Sequence, residues 1–252
     1  MQENLNANKN PTLNNRVVVW QGDCLKWIKR IPDKSIDLVV TDPPYEIATS
    51  GGGLYKQDDK RYIESLNDIK DGFDQSILDE LIRVMKKVNI YFFCSLKQIP
   101  KLLDYFLKSK NDENSLLYKR TINWNLISWH KTNPVPACGN KYLSDTEYIL
   151  FFREQGVKVY GSFDTKKTHY ETPLWVKDKK LYNHPTCKPV FMLKNFIENS
   201  SQPDDIVLDP FMGSGSTGEA AILLNRKFIG IDVNSDYCIT AKERIAKTFE
   251  QI

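Results

Sequence analysis

The stretch from Ile206 to Gly218 reads IVLDPFMGSGSTG and is the part of the sequence that best indicates the fold. A short apolar run ends in an acid, Asp209, and is followed by a glycine-rich turn from which a helix can begin. The glycines have the G-x-G-x-x-G spacing of a nucleotide-binding turn, and they are Gly213, Gly215 and Gly218. A strand, a tight turn and a helix in this order are typical of an α/β fold with a parallel sheet.

The same alternation of strands and helices extends over the rest of the chain. Short runs of β-branched and aromatic residues predict seven strands, at 16–20, 36–40, 89–93, 121–129, 147–152, 206–208 and 227–231. Helices are predicted between them, capped by Asp74, starting near Pro100, after Pro189, from Ser216 and near Ser235. We therefore predict a doubly wound, mostly parallel, seven-stranded Rossmann-like sheet in which the strands at 121–129 and 147–152 pair antiparallel.

Composition limits the classes of protein that remain. The 252 residues are 41% hydrophobic and 27% charged, with a formal net charge of +3, which suits one α/β domain and makes any nucleic-acid surface local. No run approaches the about 20 apolar residues of a membrane span. Five scattered cysteines and three scattered histidines indicate reduced thiols, a cytoplasmic location and no metal site. The Asn-rich residues 1–14 are expected to form a flexible tail.

The glycine-rich turn leaves two cofactor classes open. Asp232 follows Gly213 by 19 residues, which is also the spacing of an NAD-binding fingerprint. A dinucleotide would bring an anionic pyrophosphate to the helix N-terminus, where a carboxylate at Asp209 would repel it. S-adenosylmethionine instead carries a sulfonium and an ammonium, which a carboxylate attracts. The charge of Asp209 therefore favours S-adenosylmethionine over a nicotinamide cofactor, and a turn without any ligand is a third reading.

A second motif follows the strand predicted at 36–40. Asp42-Pro43-Pro44-Tyr45 stands at the carboxyl end of that strand, where open α/β sheets bind ligands. Two prolines stiffen the turn, so that it presents a carboxylate, a carbonyl and an aromatic ring. Taken alone, the tetrapeptide is equally compatible with an ordinary strand-ending turn.

The chemistry of an exocyclic amine explains why such a turn would be useful. The nitrogen is a poor nucleophile because its lone pair is delocalised into the ring of the base. Hydrogen bonds from its two N–H groups to the Asp42 carboxylate and the Pro43 carbonyl would free that lone pair for an in-line displacement. Tyr45 would stack on the base, which must be flipped out of a duplex to be reached.

The combined motifs resemble a known family. The tetrapeptide at 42–45, the turn at 209–217 and the segment His184-Pro185-Thr186-Cys187-Lys188-Pro189 are similar to those of the amino-methyltransferases that act on DNA. Their order, with the catalytic turn first and the cofactor turn last, is similar to that of the β group of restriction-modification and orphan enzymes. The resemblance covers roughly residues 17–247.

The resemblance implies roles for individual residues. Asp42, Pro43, Pro44 and Tyr45 would be catalytic. The residues that would contact S-adenosylmethionine are Asp23, Thr186, Lys188, Asp209, Phe211, Gly213, Gly215, Thr217 and Asp232. Trp129, Lys131 and Glu147 fall in a stretch that resembles the family's later catalytic-side motifs.

The segment 154–183 occupies the position of a target-recognition region. It contains six lysines and four acids, with aromatic residues between them, a mixture that suits phosphate contact and base stacking but equally a solvated loop. The residues predicted to contact DNA are Lys166, Lys167, Tyr170, Trp175, Lys177, Lys179 and Lys180. The predicted organisation is thus a tail (1–14), a catalytic half (15–153), this segment, and a cofactor-binding half (184–252).

These features predict methylation of adenine N6 in double-stranded DNA within a bacterial or phage-infected cell. Asp in place of Ser in the tetrapeptide resembles the adenine-specific members, and cytosine N4 is the alternative. RNA or protein methylation, an NAD-dependent oxidoreductase and a non-catalytic DNA-binding module fit the motifs less well. The resemblance also implies assembly as a homodimer.

Overall fold

The computed structural model describes residues 15–45, 74, 76–134, 140, 142–174, 182 and 187–252. Eight strands form one sheet: β1 Val17–Gln21, β2 Leu38–Thr41, β3 Asn89–Cys94, β4 Ile122–Lys131, β5 Thr146–Glu154, β6 His169–Thr172, β7 Ile206–Asp209 and β8 Lys227–Asp232. The helices of the described residues are α1 Cys24–Ile28, α2 Ser76–Val84, α3 Gln98–Lys108, α4 Val190–Ser200, α5 Ser216–Leu223 and α6 Ser235–Phe249, with a 3-10 turn at Ser109–Asn111. In this part of the chain, no helix is long and apolar enough to span a membrane.

The sheet has the order β1-β8-β7-β2-β3-β5-β4-β6. Only β5 runs antiparallel to its neighbours, and every other adjacent pair is parallel. This arrangement confirms the mostly parallel α/β sheet and the antiparallel pairing of β4 with β5. The chain proceeds outward in opposite directions from β2 and from β7, which lie side by side, so the ligand-binding switch point of the sheet lies between them.

The sheet differs from the prediction by one strand, because β6 makes it eight-stranded instead of seven-stranded. This strand lies inside the segment 154–183 and pairs with β4 through Ser128 to Lys131. Its four residues offer only two inward positions, Tyr170 and Thr172, with exposed residues between them. Four residues of alternating buried and exposed side chains are too few to be recognised as a strand within a polar segment. The helix α1 was not predicted for the same reason, because it has only five residues.

Alternation along the strands divides the core into two layers. One layer contains Val40, Phe93 and Val207 and is covered by α4, α5 and α6, whereas the other contains Val39, Phe92 and Leu208 and is covered by α1, α2 and α3. Both faces of the central strands are therefore buried, which explains their nearly continuous apolar sequences. Because helices cover both faces, residues that bind a ligand must lie at an edge of the sheet.

Candidate active site

The carboxyl edge of the parallel strands carries a row of acidic residues. Asp232 ends β8, Asp209 ends β7, and Asp42 follows β2 directly. Asp23 extends the row past β1, whose last residue pairs with Asp232, and it caps α1 by accepting a hydrogen bond from the backbone N–H of Lys26. The acids predicted to bind the cofactor therefore lie along the same edge as the acid predicted to bind the base.

The turn formed by residues 42–45 is held by α3 and β5. The side chain of Gln98, buried at the start of α3, donates a hydrogen bond of 3.0 Å to the carbonyl of Pro44. The hydroxyl of Tyr45 donates to Oε2 of Glu147 at 3.3 Å. Sequence reasoning did not single out Gln98, because an isolated glutamine at a helix start gives no signal of its own. These contacts fix the second half of the turn that the two prolines stiffen.

Four charged side chains meet beside this turn. The ammonium of Lys188 bonds Oδ2 of Asp42 and lies 3.3 Å from Oε2 of Glu147. Lys131 approaches the other oxygen of Glu147 at 2.6 Å. Lys188 is only 7% exposed, so these ion pairs are shielded from solvent and the charges act on each other strongly.

The surroundings of these groups shift their pKa values in opposite directions. Burial raises the pKa of Asp42, with Glu147 adding to the rise and Lys188 opposing it. Burial also acts to raise the pKa of Glu147, but the ammonium groups of Lys188 and Lys131 outweigh it and leave that pKa below its usual value. Asp42 and Glu147 together raise the pKa of Lys188 against the effect of its burial. Lys188 therefore remains a cation at any ordinary pH.

The two oxygens of Asp42 have different environments. Lys188 occupies Oδ2, whereas Oδ1 is buried and has no hydrogen-bond partner among the described residues. A buried carboxylate oxygen without a donor is unfavourable and marks a position where a donor from a ligand would be stabilised. The side chain as a whole is 24% exposed, so the group lies at the surface of the site.

The glycine-rich turn is braced by the acids on either side of it. The backbone N–H of Gly213 donates to Oδ2 of Asp232 at 2.9 Å, and that of Phe211 donates to Oδ1 of Asp209 at 3.1 Å. Gly213 and Gly215 have φ values of 50° and 79°, which side-chain-bearing residues rarely adopt. The other oxygen of Asp232 accepts from Asn234, and both oxygens retain a second lone pair for ligand hydroxyls.

Asp209, which is predicted to contact the cofactor, is almost completely buried in the ligand-free protein. Burial raises its pKa to about 7, although hydrogen bonds from Thr217 and from the backbone N–H of Phe211 oppose the rise. At neutral pH this carboxyl group is therefore only partly ionised in the ligand-free protein. A cation bound beside it would favour the charged form, so the predicted attraction for a sulfonium or ammonium depends on pH.

Cys187 and Lys188 connect the two parts of the site. The thiol of Cys187 lies 3.4 Å from the hydroxyl of Ser214 in the glycine-rich turn, and the next residue bonds Asp42. The sequence predicted Lys188 at the cofactor, and the structure brings it to the catalytic turn. Thr186, the other residue predicted for that segment, lies outside the described residues.

The residues predicted to contact DNA divide into three groups. Lys166 and Lys167 are exposed on the segment before β6. Tyr170 is 5% exposed and packs edge-on against Phe196, so it is a core residue, and this position argues against the predicted contact with DNA. The alternation of β6 turns its side chain inward. The others lie outside the described residues: Trp175, Lys177, Lys179 and Lys180.

Glu147 and Lys131 are more central than the sequence suggested. They occupy the adjoining ends of β5 and β4, at the carboxyl edge of the sheet, because the antiparallel β5 begins where β3 ends. Trp129 pairs with Glu147 in the ladder but points into the core, where its indole N–H donates to Thr172. The sequence offered one signal for these two residues, which is that an acid and a lysine stand at the adjoining ends of two strands predicted to pair antiparallel. Only the order of the strands in the sheet shows that both side chains lie near Asp42.

Comparison with known proteins agrees with this geometry. A family model for N6 and N4 methyltransferases, described as DNA methylase, matches residues 36–243. The chain is 30% identical to the Type II methyltransferase M.HinfI of Haemophilus influenzae over 277 residues, covering 97% of this chain and 70% of that protein.

Solved structures show the same fold. The crystal structure of an M1.HpyAVI-SAM complex has a TM-score of 0.63 at 24% identity, covering 90% of this chain and 99% of that one. The cytosine-N4-specific PvuII DNA methyltransferase has a TM-score of 0.64 at 16% identity, covering 94% of this chain and 92% of that one. The family match includes both the turn at 42–45 and the glycine-rich turn, and it argues against the alternative of an NAD-dependent oxidoreductase. The chain belongs to the N6/N4 family of DNA methylases.

Proposed function

We propose that this protein transfers a methyl group from S-adenosylmethionine to the N6 amino group of an adenine flipped out of duplex DNA. The observation that carries the proposal is the unequal environment of the two oxygens of Asp42. One oxygen is held by Lys188, the other lacks a donor, and the carbonyl of Pro43 belongs to the next residue of the turn. An amino group of a base has two N–H donors, which match this pair of acceptors.

The chain's own residues would prepare the amine for reaction. Hydrogen bonds to Oδ1 of Asp42 and to the Pro43 carbonyl would withdraw the two N–H groups from the plane of the base and free the nitrogen lone pair. Because Oδ1 is enclosed, we expect the carboxyl group to turn as the base enters. The ring of Tyr45, anchored through its hydroxyl to Glu147, would support the base by stacking.

The carboxyl edge between β1 and β7 suits S-adenosylmethionine by its chemistry. Asp209 is a buried carboxyl group that would gain from an adjacent cation, and Asp232 has free lone pairs for ribose hydroxyls. Asp23, Phe211 and the turn at 213–217 would complete the contacts, with Thr186 as a predicted one. Bound there, S-adenosylmethionine supplies an activated methyl group on its sulfonium. The solved M1.HpyAVI-SAM complex, which shares this fold, supports this choice.

Adenine is proposed over cytosine because Asp stands first in the tetrapeptide, as in the adenine-specific members that it resembles. The fold does not discriminate between the bases, since a cytosine-N4-specific enzyme shares it. The test is transfer of tritium from labelled S-adenosylmethionine to duplex DNA, followed by nucleoside analysis. We expect label in N6-methyl-2′-deoxyadenosine, and label in N4-methyl-2′-deoxycytidine would contradict the adenine assignment.

The remaining parts of the proposal concern the partners of the enzyme. We propose that Lys166 and Lys167, exposed on the segment 154–183, contact DNA phosphates. Location in the cytoplasm and assembly as a homodimer stay predictions, and light scattering on the purified protein tests the second. Sequencing modified bases in DNA from an expressing strain would identify the recognition sequence.

A further inference from the structure

Among the described residues, Glu147 contacts three groups in or beside the catalytic turn. Its Oε1 pairs with Lys131 at 2.6 Å, and its Oε2 lies 3.3 Å from both the ammonium of Lys188 and the hydroxyl of Tyr45. The side chain is 14% exposed. It projects from β5, which is separated from β2 and Asp42 by β3.

The position of Lys188 depends on this acid. A buried ammonium has three donors and needs acceptors for them, and the two carboxylates on opposite sides of β3 provide those acceptors. With Glu147 present, the ammonium is held between the two acids and occupies only one oxygen of Asp42. Without that acid, the ammonium would be free to approach the second oxygen of Asp42, which is the one that the base requires.

The orientation of Tyr45 depends on the same acid. Its hydroxyl donates to Glu147, so the plane of the ring is tied to β5 and not only to the turn that carries it. Lys131 adds a second cation, which keeps Glu147 ionised although another carboxylate is close by. Two lysines and two acids therefore form a neutral set in which each buried charge has an opposite neighbour.

We propose that Glu147 is a positioning residue for methyl transfer, which orients Lys188 and Tyr45 and so leaves one oxygen of Asp42 without a protein donor, for the amine of the base. The inference rests on the proposed function and extends it to a residue outside the predicted base-binding and cofactor-binding sets. A buried ion pair is weak support for a role in stability alone, because burying charges is costly. The arrangement is instead suited to fixing the geometry of reacting groups.

The kinetic test uses Glu147→Gln, which keeps the shape of the side chain and removes its charge, and Glu147→Asp, which keeps the charge. Glu243→Gln on the exposed face of α6 makes the same chemical change away from the site. We expect kcat to fall about 10- to 100-fold in Glu147→Gln, with the dissociation constant for S-adenosylmethionine unchanged. Glu147→Asp should recover part of kcat, and Glu243→Gln should match the unsubstituted protein.

A spectroscopic test reads the position of Lys188 without any reaction. In protein labelled with 15N at lysine Nζ, a buried ammonium gives a slowly exchanging resonance, which Lys188→Arg would assign. We expect this resonance to shift or disappear in Glu147→Gln and to be unchanged in Glu243→Gln.

The possible outcomes separate the two proposals. Unchanged kcat in Glu147→Gln, or an unchanged Lys188 resonance, would overturn the positioning role. Equal losses of kcat and of cofactor affinity would also overturn it, because Glu147 would then act on the cofactor site or on the fold. If the unsubstituted protein methylates no adenine, the proposed function fails, while the Lys188 resonance still decides whether Glu147 orients that lysine.

Discussion

The ammonium group of Lys188 is bonded to Oδ2 of Asp42, although 146 residues separate the two in the chain. Asp42 directly follows β2, and Lys188 directly precedes α4, the helix before the strand that leads into the glycine-rich turn. The contact closes the site at the point where β2 and β7 lie side by side. The contact also makes the two oxygens of Asp42 different, because Oδ2 is bonded to Lys188 and Oδ1 has no partner among the described residues.

Replacement of Asp42 should separate binding from chemistry. We expect Asp42→Asn to lower the rate of methyl transfer by about 100- to 1,000-fold, the usual loss when one group of a preorganised electrostatic site is removed. Cofactor affinity should survive, because the cofactor acids lie on other strands. Single-turnover transfer and equilibrium cofactor binding are the two measurements, and an Asp42→Asn protein with full transfer activity would refute the role of the carboxylate.

Removal of Lys188 should destabilise the protein most at high pH. Lys188→Met leaves Asp42 and Glu147 buried without their shared cation, at a cost of about 3–5 kcal/mol. Both carboxyl pKa values should then rise, so the folded state binds protons more tightly than the unfolded state and stability falls as pH increases. Urea unfolding at pH 5 and pH 8 measures the effect. The double variant Lys188→Met/Glu147→Gln should recover part of the loss, and no recovery would show that the carboxylates do not interact.

Asp209 should make cofactor binding depend on pH. Its pKa of about 7 means that the anion becomes dominant between pH 6 and pH 8, and a cationic ligand should bind up to about tenfold more tightly over that interval. Asp209→Asn should remove this contribution, which isothermal titration at both pH values can detect. A pH profile that is identical in the two proteins would contradict the assignment.

The carboxyl group of Asp209 should make the ligand-free protein less stable as pH rises, whereas it makes cofactor binding tighter. Its pKa lies above the ordinary value of 3.8, so the folded state holds the proton more tightly than the unfolded state. The stability linked to this proton is fully present below about pH 4 and is lost as pH rises towards 7. We therefore expect the free energy of unfolding of the ligand-free protein to fall over this range, and to fall less in Asp209→Asn.

Gly215 should tolerate no side chain. Its φ of 79° costs a residue with a β-carbon about 1–2 kcal/mol, and that carbon would lie 2.8 Å from the β-carbon of Ala241 and 2.9 Å from its α-carbon. Overpacking of this kind costs about 1–3 kcal/mol more. Gly156→Ala is the matched control, since Gly156 has a φ of 87° but meets only the flexible end of Lys87. Equal losses of unfolding free energy would show that the contact with Ala241 relaxes.

The segment before β6 should contribute charge to DNA binding, whereas Tyr170 should not contribute to it. We expect Lys166→Ala/Lys167→Ala to reduce the slope of log affinity against log salt by about 2 for duplex DNA. Tyr170→Ala should leave the DNA affinity of the folded protein unchanged and lower the free energy of unfolding by about 3–5 kcal/mol, as for other buried aromatic residues. A loss of DNA affinity in folded Tyr170→Ala protein would show that this ring contacts DNA.

Local signals in the sequence determined the fold class and the residues of both motifs. Alternating short apolar runs and helical periods are enough to predict a doubly wound sheet, because each element must bury its own face. The glycine-rich turn at 213–218 and the turn at 42–45 were found in the same way, since backbone conformation and stiffness at a strand end depend on a few adjacent residues. The short elements β6 and α1 were missed because four or five residues carry too little periodicity.

The tertiary structure alone decided which charges meet. Lys188 was predicted at the cofactor and Tyr170 at the DNA, and both positions depend on contacts with residues far away in the chain. Glu147 reaches the catalytic turn only because β5 runs antiparallel next to β3, and Asp209 acquires a pKa of about 7 only through burial. Ion pairing and desolvation depend on distances across the folded sheet, and a sequence pattern specifies which groups are available but not how far apart they lie.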